Sequence, residues 1–231
     1  MSSPYGKASI KPHHPTAQLI SSLPVKGALK DGTSYRILGI TLSESADLNK
    51  DSFIKVSSKP NLLAHCSSLL DEVIRDGDTY PFDDEMGLSG YKDYFLSHNA
   101  FILINTEEDN NSFLEADFDD MHFWKTRALG MFYIKPNFPG RCSHICNGGF
   151  IVSKDARGKS IGYALGQAYL DLAPKCGFKA SMFNLVFDSN TPSVRLWEKL
   201  GFTQIGKIPK AGNLSNSPDK LVDAIIFYKE F

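Results

Sequence analysis

Two rhythms of apolar and polar positions run through this chain, and the points where they change predict its elements. Asn61–Ile74 carries apolar residues at 62, 63, 66, 69, 70, 73 and 74, the spacing of one helix face, with Asn61 near the N-terminal cap. A second helix is expected from about Ser89 to Leu96, and Ile161–Leu172 repeats the amphipathic pattern. Tyr35–Ile40 reads as a first strand, and the continuous apolar run of Ala100–Asn105 as a buried one. Leu129–Pro136, Ile145–Val152, Ser181–Phe187, Thr203–Ile208 and Val222–Lys229 complete a mixed sheet of about seven strands with helices on both faces, an α/β (α+β) fold. In the strand from Ser181, alternation puts Phe183, Leu185 and Phe187 on one face and Met182, Asn184 and Val186 on the other.

Breaks in the pattern mark the organisation. Residues 1–30 read as a flexible lead-in with four lysines and no acid, and residues 31–231 as a single domain. The lead-in has no apolar core for a secretory signal, and its lack of arginine weakens a mitochondrial reading, which stays open as the lesser alternative. Seven acids between Thr106 and Asp120 read as a solvated excursion between strands. Gly148 and Gly149 fall inside an expected strand, which they weaken; a bulge that splays this strand from Ser181–Phe187 and opens a slot accounts for them better than a plain kink does.

Composition narrows the classes. A net charge of -1 argues against nucleic-acid and anionic-membrane partners, and no apolar run reaches the roughly 18 residues of a membrane span. Four cysteines in 231 residues are too few for a disulfide scaffold, which favours a reducing compartment, the cytoplasm with diffusion into the nucleus. Cys142, His144 and Cys146 alternate on one face, but a zinc site needs a fourth ligand that no other pair supplies, so no metal is expected.

The candidate chemistry begins at Arg157-Gly-Lys-Ser-Ile-Gly162, a glycine-bearing loop between a strand and a helix N-terminus. Backbone N–H groups converge there, the helix dipole adds partial positive charge, and Arg157 and Lys159 add whole charges, the composition of a diphosphate cradle. On this stretch alone an ordinary strand-to-helix turn reads equally well. The segments downstream decide between the two: a strand through Phe187, then Thr191 as N-cap with Pro192 at the first helical position, a helix to Leu200, Gly201 as its left-handed cap, and another strand.

That succession, from about residue 129 to 230, resembles the second half of the GCN5-related N-acetyltransferases (the GNAT superfamily). The resemblance implies that the Arg157–Gly162 loop (Arg157, Gly158, Lys159, Ser160, Ile161, Gly162) holds the diphosphate of acetyl-CoA. It further implies that the strand Phe150, Ile151 and Val152 offers backbone groups to pantetheine. Ser160 stands where the loop usually has its second glycine, a small change unless φ must be positive. Trp197 stands where many members carry a tyrosine acting as general acid, and indole has no ionisable hydroxyl. Asn190 either reaches pantetheine or caps the helix after it.

Gly130–Asn137, Arg141–Phe150, Phe183–Phe187, Lys210–Leu214 and the upstream Thr79-Tyr80-Pro81 are similar to the fungal L-azetidine-2-carboxylate (proline-analogue) N-acetyltransferases. By that resemblance Asn147 matches the key catalytic residue and Asn184 a position that binds the acceptor carboxylate. Phe138 would wall a pocket for the ring, and Lys135 and Arg141 would either help with the carboxylate or remain solvated charge. The implied reaction is direct acetyl transfer in a ternary complex to a small cyclic secondary amine, with a homodimer as family habit. Water is the first choice for proton acceptor, and His144 the second. Two other readings stay open: an acetyltransferase for a primary amine of a polyamine or protein N-terminus, and an acyl-CoA-binding regulator without turnover.

Overall fold

The computed structural model describes residues 15–42, 48–49, 51–106, 112–115 and 117–231. Its elements run α1 (Ala17–Ser21), β1 (Val25–Ala28), β2 (Ser34–Thr41), β3 (Phe53–Lys55), α2 (Pro60–Asp76), α3 (Gly87–Tyr94), β4 (Asn99–Asn105), α4 (Met121–Arg127), β5 (Ala128–Pro136), β6 (Ile145–Asn147) and β7 (Phe150–Val152). They continue with α5 (Ile161–Lys175), β8 (Ala180–Phe187), α6 (Thr191–Lys199), β9 (Thr203–Gly212) and β10 (Val222–Glu230). One sheet of ten strands runs through the described residues in the order β1-β2-β4-β5-β6-β8-β10-β9, with β3 on β2 and β7 on β5. Pairing is antiparallel except at β2–β3 and β6–β8. Strands beyond the expected seven are β1, the short β3, and the division of Ile145–Val152 into β6 and β7.

Alternation along β5 separates two cores. Met131 and Tyr133 point to a layer made by α2, α3 and α4, where they meet Leu70, Tyr91 and Trp124. Phe132 and Ile134 point to the opposite layer of α1, α5 and α6, with Leu19, Leu165 and Trp197. Both faces of the central strands are therefore covered, which is why those strands read as unbroken apolar runs. No helix of the described residues is long and apolar enough to cross a membrane.

Several expectations are corrected. Residues 1–14 of the lead-in lie outside the described residues, but residues 17–28 form α1 and β1, with Leu19, Leu23 and Leu29 buried in the α5 layer. Each such side chain contributes about 1.5–3 kcal/mol, which holds in place a helix of 5 residues that would not persist alone. In the acidic excursion, residues 107–111 and 116 lie outside the described set, yet Asp119 is structural rather than solvated. Its carboxylate accepts from Asn61 N (2.7 Å), Leu62 N (3.2 Å) and Trp124 Nε1 (2.8 Å). Asp119 thus caps α2 from outside the helix, in place of the local cap expected near Asn61, and Asp120 caps α4 through Phe123 N.

The alternation expected along β8 also fails. Phe183 pairs with Phe227, but Val186 pairs with Ile225, so Asn184 and Leu185 together oppose Ile226. That extra residue reverses the facing. Phe183 and Val186 pack in the α5–α6 layer, whereas Leu185 and Phe187 pack with Leu214, Val222 and Ala224.

Candidate active site

β6 pairs with β5 on one side and β8 on the other, up to Cys146 opposite Ser181; β7 pairs with β5 alone. The two central strands part at Asn147, and backbone on the β8 side of β7 is unpaired. Register against β5 does not shift between Cys146 and Val152, so Gly148 and Gly149 form no bulge there. They are needed for space. A Cβ on Gly148 would lie 2.6 Å from the Tyr169 ring, and one on Gly149 2.5 Å from the Tyr133 ring and 2.7 Å from Tyr80 Oη. The parting opens a cleft of about 970 Å3 that reaches from the α5 N-terminus to the α2–α3 link.

At the α5 end the cleft is lined by Phe150, Ile151, Val152, Arg157, Gly158, Ser160, Ile161, Gly162 and Asn190; Lys159 is exposed and outside this lining. No side chain caps α5, so its first-turn N–H groups lack a side-chain acceptor at the cleft wall. Gly158 has φ +79° and Ser160 φ +65°. The position where a second glycine would be expected is therefore left-handed, and serine there carries about 1–2 kcal/mol of strain. α6 begins one residue earlier than expected: Asn190 is the cap, its Oδ1 accepting from Ser193 N at 3.3 Å, and Thr191 is the first helical residue. Trp197 is 5% exposed, its ring 4.8 Å from Phe150 and 4.5 Å from Phe183.

At the other end the side chains come from far apart in the chain. Asn137, on the β5–β6 link, accepts at Oδ1 from Asn147 Nδ2 (3.0 Å) and Asn184 Nδ2 (2.6 Å), and returns a bond from its Nδ2 to Asn184 Oδ1 (2.9 Å). Asn147 and Asn184 are thus brought together through a residue that sequence reasoning missed. The assignment leaves Asn147 Oδ1 without a partner among the described residues. Orientation within such a network is collective, since reversing one amide would set oxygen against oxygen.

Lys135 is the direct cross-strand neighbour of Asn147. Its Nζ lies 3.9 Å from the Tyr94 ring centroid and 4.3 Å from that of Tyr133, with no acid paired to it among the described residues. Burial lowers its pKa from 10.5 to about 8. Lys135 is consequently not solvated charge, whereas Arg141 and His144 are exposed. Tyr94 and Tyr133 share a hydroxyl–hydroxyl bond of 2.8 Å, and burial raises the pKa of both. Tyr80 and these two line the cleft with Asn147 and Asn184, while Lys135, Asn137 and the half-buried Phe138 are not part of the lining. Two acids also line it, but both are committed elsewhere: Asp76 to Lys154 (2.9 Å) and Asp78 to Asn216 N (3.0 Å). Among the described residues no three His, Cys, Asp or Glu side chains gather as a metal would require.

A model of the acetyltransferase (GNAT) family matches residues 72–202. N-acetyltransferase aca1 of Schizosaccharomyces pombe is 44% identical over 184 residues, covering 78% of this chain and 86% of its own. Among solved structures, a GCN5-related N-acetyltransferase from Kribbella flavida shares the fold with TM-score 0.61 at 23% identity, over 85% of this chain and 98% of that one. YncA of Salmonella typhimurium, solved with its cofactor acetyl-CoA, aligns with TM-score 0.56 at 14% identity, over 73% of this chain and 87% of that one.

Proposed function

The chain belongs to the acetyltransferase (GNAT) family of acetyl-CoA-dependent acyltransferases, and we propose that its acceptor is the ring nitrogen of a small cyclic amino acid such as L-azetidine-2-carboxylate. One observation carries this reading: Asn147, where the strands part, has its NH2 committed to Asn137 and its oxygen free, with the desolvated cation of Lys135 beside it. A secondary amine has one N–H to give once neutral, and a single fixed carboxamide oxygen takes it. The acceptor carboxylate then meets the Asn184 amide and Lys135, whose charge no acid among the described residues answers. A polyamine would want the opposite sign, and the two acids in the lining are already bonded.

Acetyl-CoA supplies an activated thioester. For this chain's part, the α5 N-terminus and the Gly158–Gly162 backbone hold the diphosphate, with Arg157 and Lys159 adding charge from the surface. The free edge of β7, Phe150 to Val152, takes the pantetheine amides as a sheet takes an added strand, and Asn190 caps α6 beside it. Asn147 does not titrate; it orients the nitrogen lone pair, an effect worth up to several kcal/mol when geometry is fixed. The ammonium proton leaves to water, at about 1.4 kcal/mol per pH unit below the amine pKa, since His144 lies exposed ahead of β6. Free thiols buried at Cys66, Cys146 and Cys176 suit a reducing compartment such as the cytoplasm.

Thiol release from acetyl-CoA, followed with azetidine-2-carboxylate, cis-4-hydroxyproline, spermidine and a peptide N-terminus, tests the proposal. Turnover with the cyclic amino acids alone is the expected result. Turnover with spermidine or peptide and none with the cyclic acids overturns it, as does tight acetyl-CoA binding with no turnover of any acceptor.

A further inference from the structure

We infer that Tyr80 is a catalytic residue whose hydroxyl donates a hydrogen bond to the acetyl carbonyl oxygen as transfer proceeds. The inference rests on acetyl transfer at this cleft and not on which amine accepts. Tyr80 stands on the link between α2 and α3, directly before Pro81, which disfavours helical backbone there. Its hydroxyl oxygen is buried and has no hydrogen-bond partner among the described residues, yet the residue lines the cleft. That oxygen sits 2.7 Å from where a Cβ on Gly149 would be, against the backbone at the point where β6 gives way to β7.

An orphaned buried hydroxyl destabilises the fold that holds it, and such a group calls for an explanation in a site that binds polar ligands. Tyr94 and Tyr133 do not share this condition, because their hydroxyls satisfy one another. Trp197, in the aromatic layer on the opposite side of β7, offers no hydroxyl. Tyr80 is therefore a buried, unused O–H donor at the strand parting among the described residues.

Burial holds the Tyr80 hydroxyl well above the ordinary tyrosine value, so it keeps its proton at any physiological pH. It acts as a fixed donor and does not release that proton to the sulfur. In the step, the neutral amine nitrogen forms a bond to the acetyl carbon and an electron pair moves onto the carbonyl oxygen. The pair returns as the carbon–sulfur bond breaks, and the proton lost from nitrogen ends on the thiol by way of water. Tyr80 stabilises the charge on oxygen between those two events, alongside a backbone N–H of the β6–β7 segment.

Tyr80→Phe removes one oxygen and leaves the ring. We expect kcat to fall about 100- to 1000-fold with both KM values within about threefold of wild type. Thermal stability should be unchanged or higher, because the lost hydroxyl bonds to nothing among the described residues. With carbonyl-13C acetyl-CoA bound and no acceptor present, the thioester carbonyl infrared band should lie lower in wild type than in Y80F. An unmoved band overturns the inference, as does kcat within about threefold of wild type. A raised acceptor KM with kcat intact places the hydroxyl on the acceptor, and a loss of melting temperature gives it a structural partner; either result also overturns it. Should no acceptor be turned over at all, the infrared comparison still decides this inference separately from the acceptor assignment.

Discussion

The two ends of the cleft are built in different ways. At the α5 end the devices are contiguous and mostly backbone: an unpaired strand edge over Phe150–Val152, a loop, and the N–H groups of a helix start, all within thirteen residues of sequence. At the acceptor end, Tyr80, Tyr94, Tyr133, Asn147 and Asn184 in the lining and Lys135 and Asn137 against them come from the α2–α3 link, α3, β5, the β5–β6 link, β6 and β8. A backbone device tolerates side-chain change, since every residue but proline carries the N–H. An assembled device does not, because each group was placed by the packing of a different element. Substitutions at the acceptor end should therefore remove rate, while those at the loop should alter stability or affinity modestly.

The sharpest way to break that contrast is Asn147→Ala. Loss of the orienting oxygen should lower kcat about 100-fold or more, with the acetyl-CoA dissociation constant from calorimetry unchanged. Equal loss of both would mean that Asn147 belongs to the coenzyme end and that the division is false.

Next in size is Lys135. Burial, with no counter-ion among the described residues, lowers its pKa to about 8 in the folded protein, against 10.5 for the unperturbed side chain. The folded state then binds fewer protons than the unfolded state between those values, so the group's contribution makes stability rise with pH across that window. A carboxylate needs the charged form, so the acceptor KM should climb as pH passes about 8. Lys135→Met should flatten that climb and raise the KM for azetidine-2-carboxylate about tenfold or more at neutral pH, as for a lost hydrogen bond to a charged group. The carboxamide analogue serves as control. If acid and amide respond alike to the substitution, Lys135 does not recognise the carboxylate.

The same contrast explains what the sequence made legible. Long strands and α2 announce themselves through apolar periodicity, and the α5 loop through its local order of strand, glycine and helix. The elements that escaped notice, α1, α4, β1 and β3, are too short to show a period and are held by buried anchors such as Leu19, Phe53 and Trp124. At the acceptor end, Asn147 was reached only through resemblance, and Asn184, an amide among apolar strand residues, took its role from the same source. Asn137 stood in a Pro-Asn-Phe-Pro-Gly stretch where asparagine reads as a turn former. Lys135 and Arg141 read alike in the sequence, and only hairpin register, which sets Lys135 opposite Asn147, tells them apart. The extra residue in β8 at Asn184–Leu185, invisible to a period of two, reverses the facing of Leu185, Val186 and Phe187 relative to Phe183.

The smallest effect tests the backbone end. Ser160 holds φ +65° just before α5, and its side chain makes no capping bond. Left-handed backbone disfavours a residue with a Cβ by about 1–2 kcal/mol, and glycine gives back about 0.5–1 kcal/mol in unfolded-chain entropy. Ser160→Gly should therefore stabilise the protein by about 0.5–1 kcal/mol, or about 1–4 °C in melting temperature for a chain of this size. The acetyl-CoA KM should stay within about twofold, because the phosphate-facing groups are N–H donors common to both residues. A lower melting temperature, or a coenzyme KM raised tenfold, would show that the serine hydroxyl itself contributes at the loop. The α5 end would then have to be grouped with the acceptor end, as a site built from side chains.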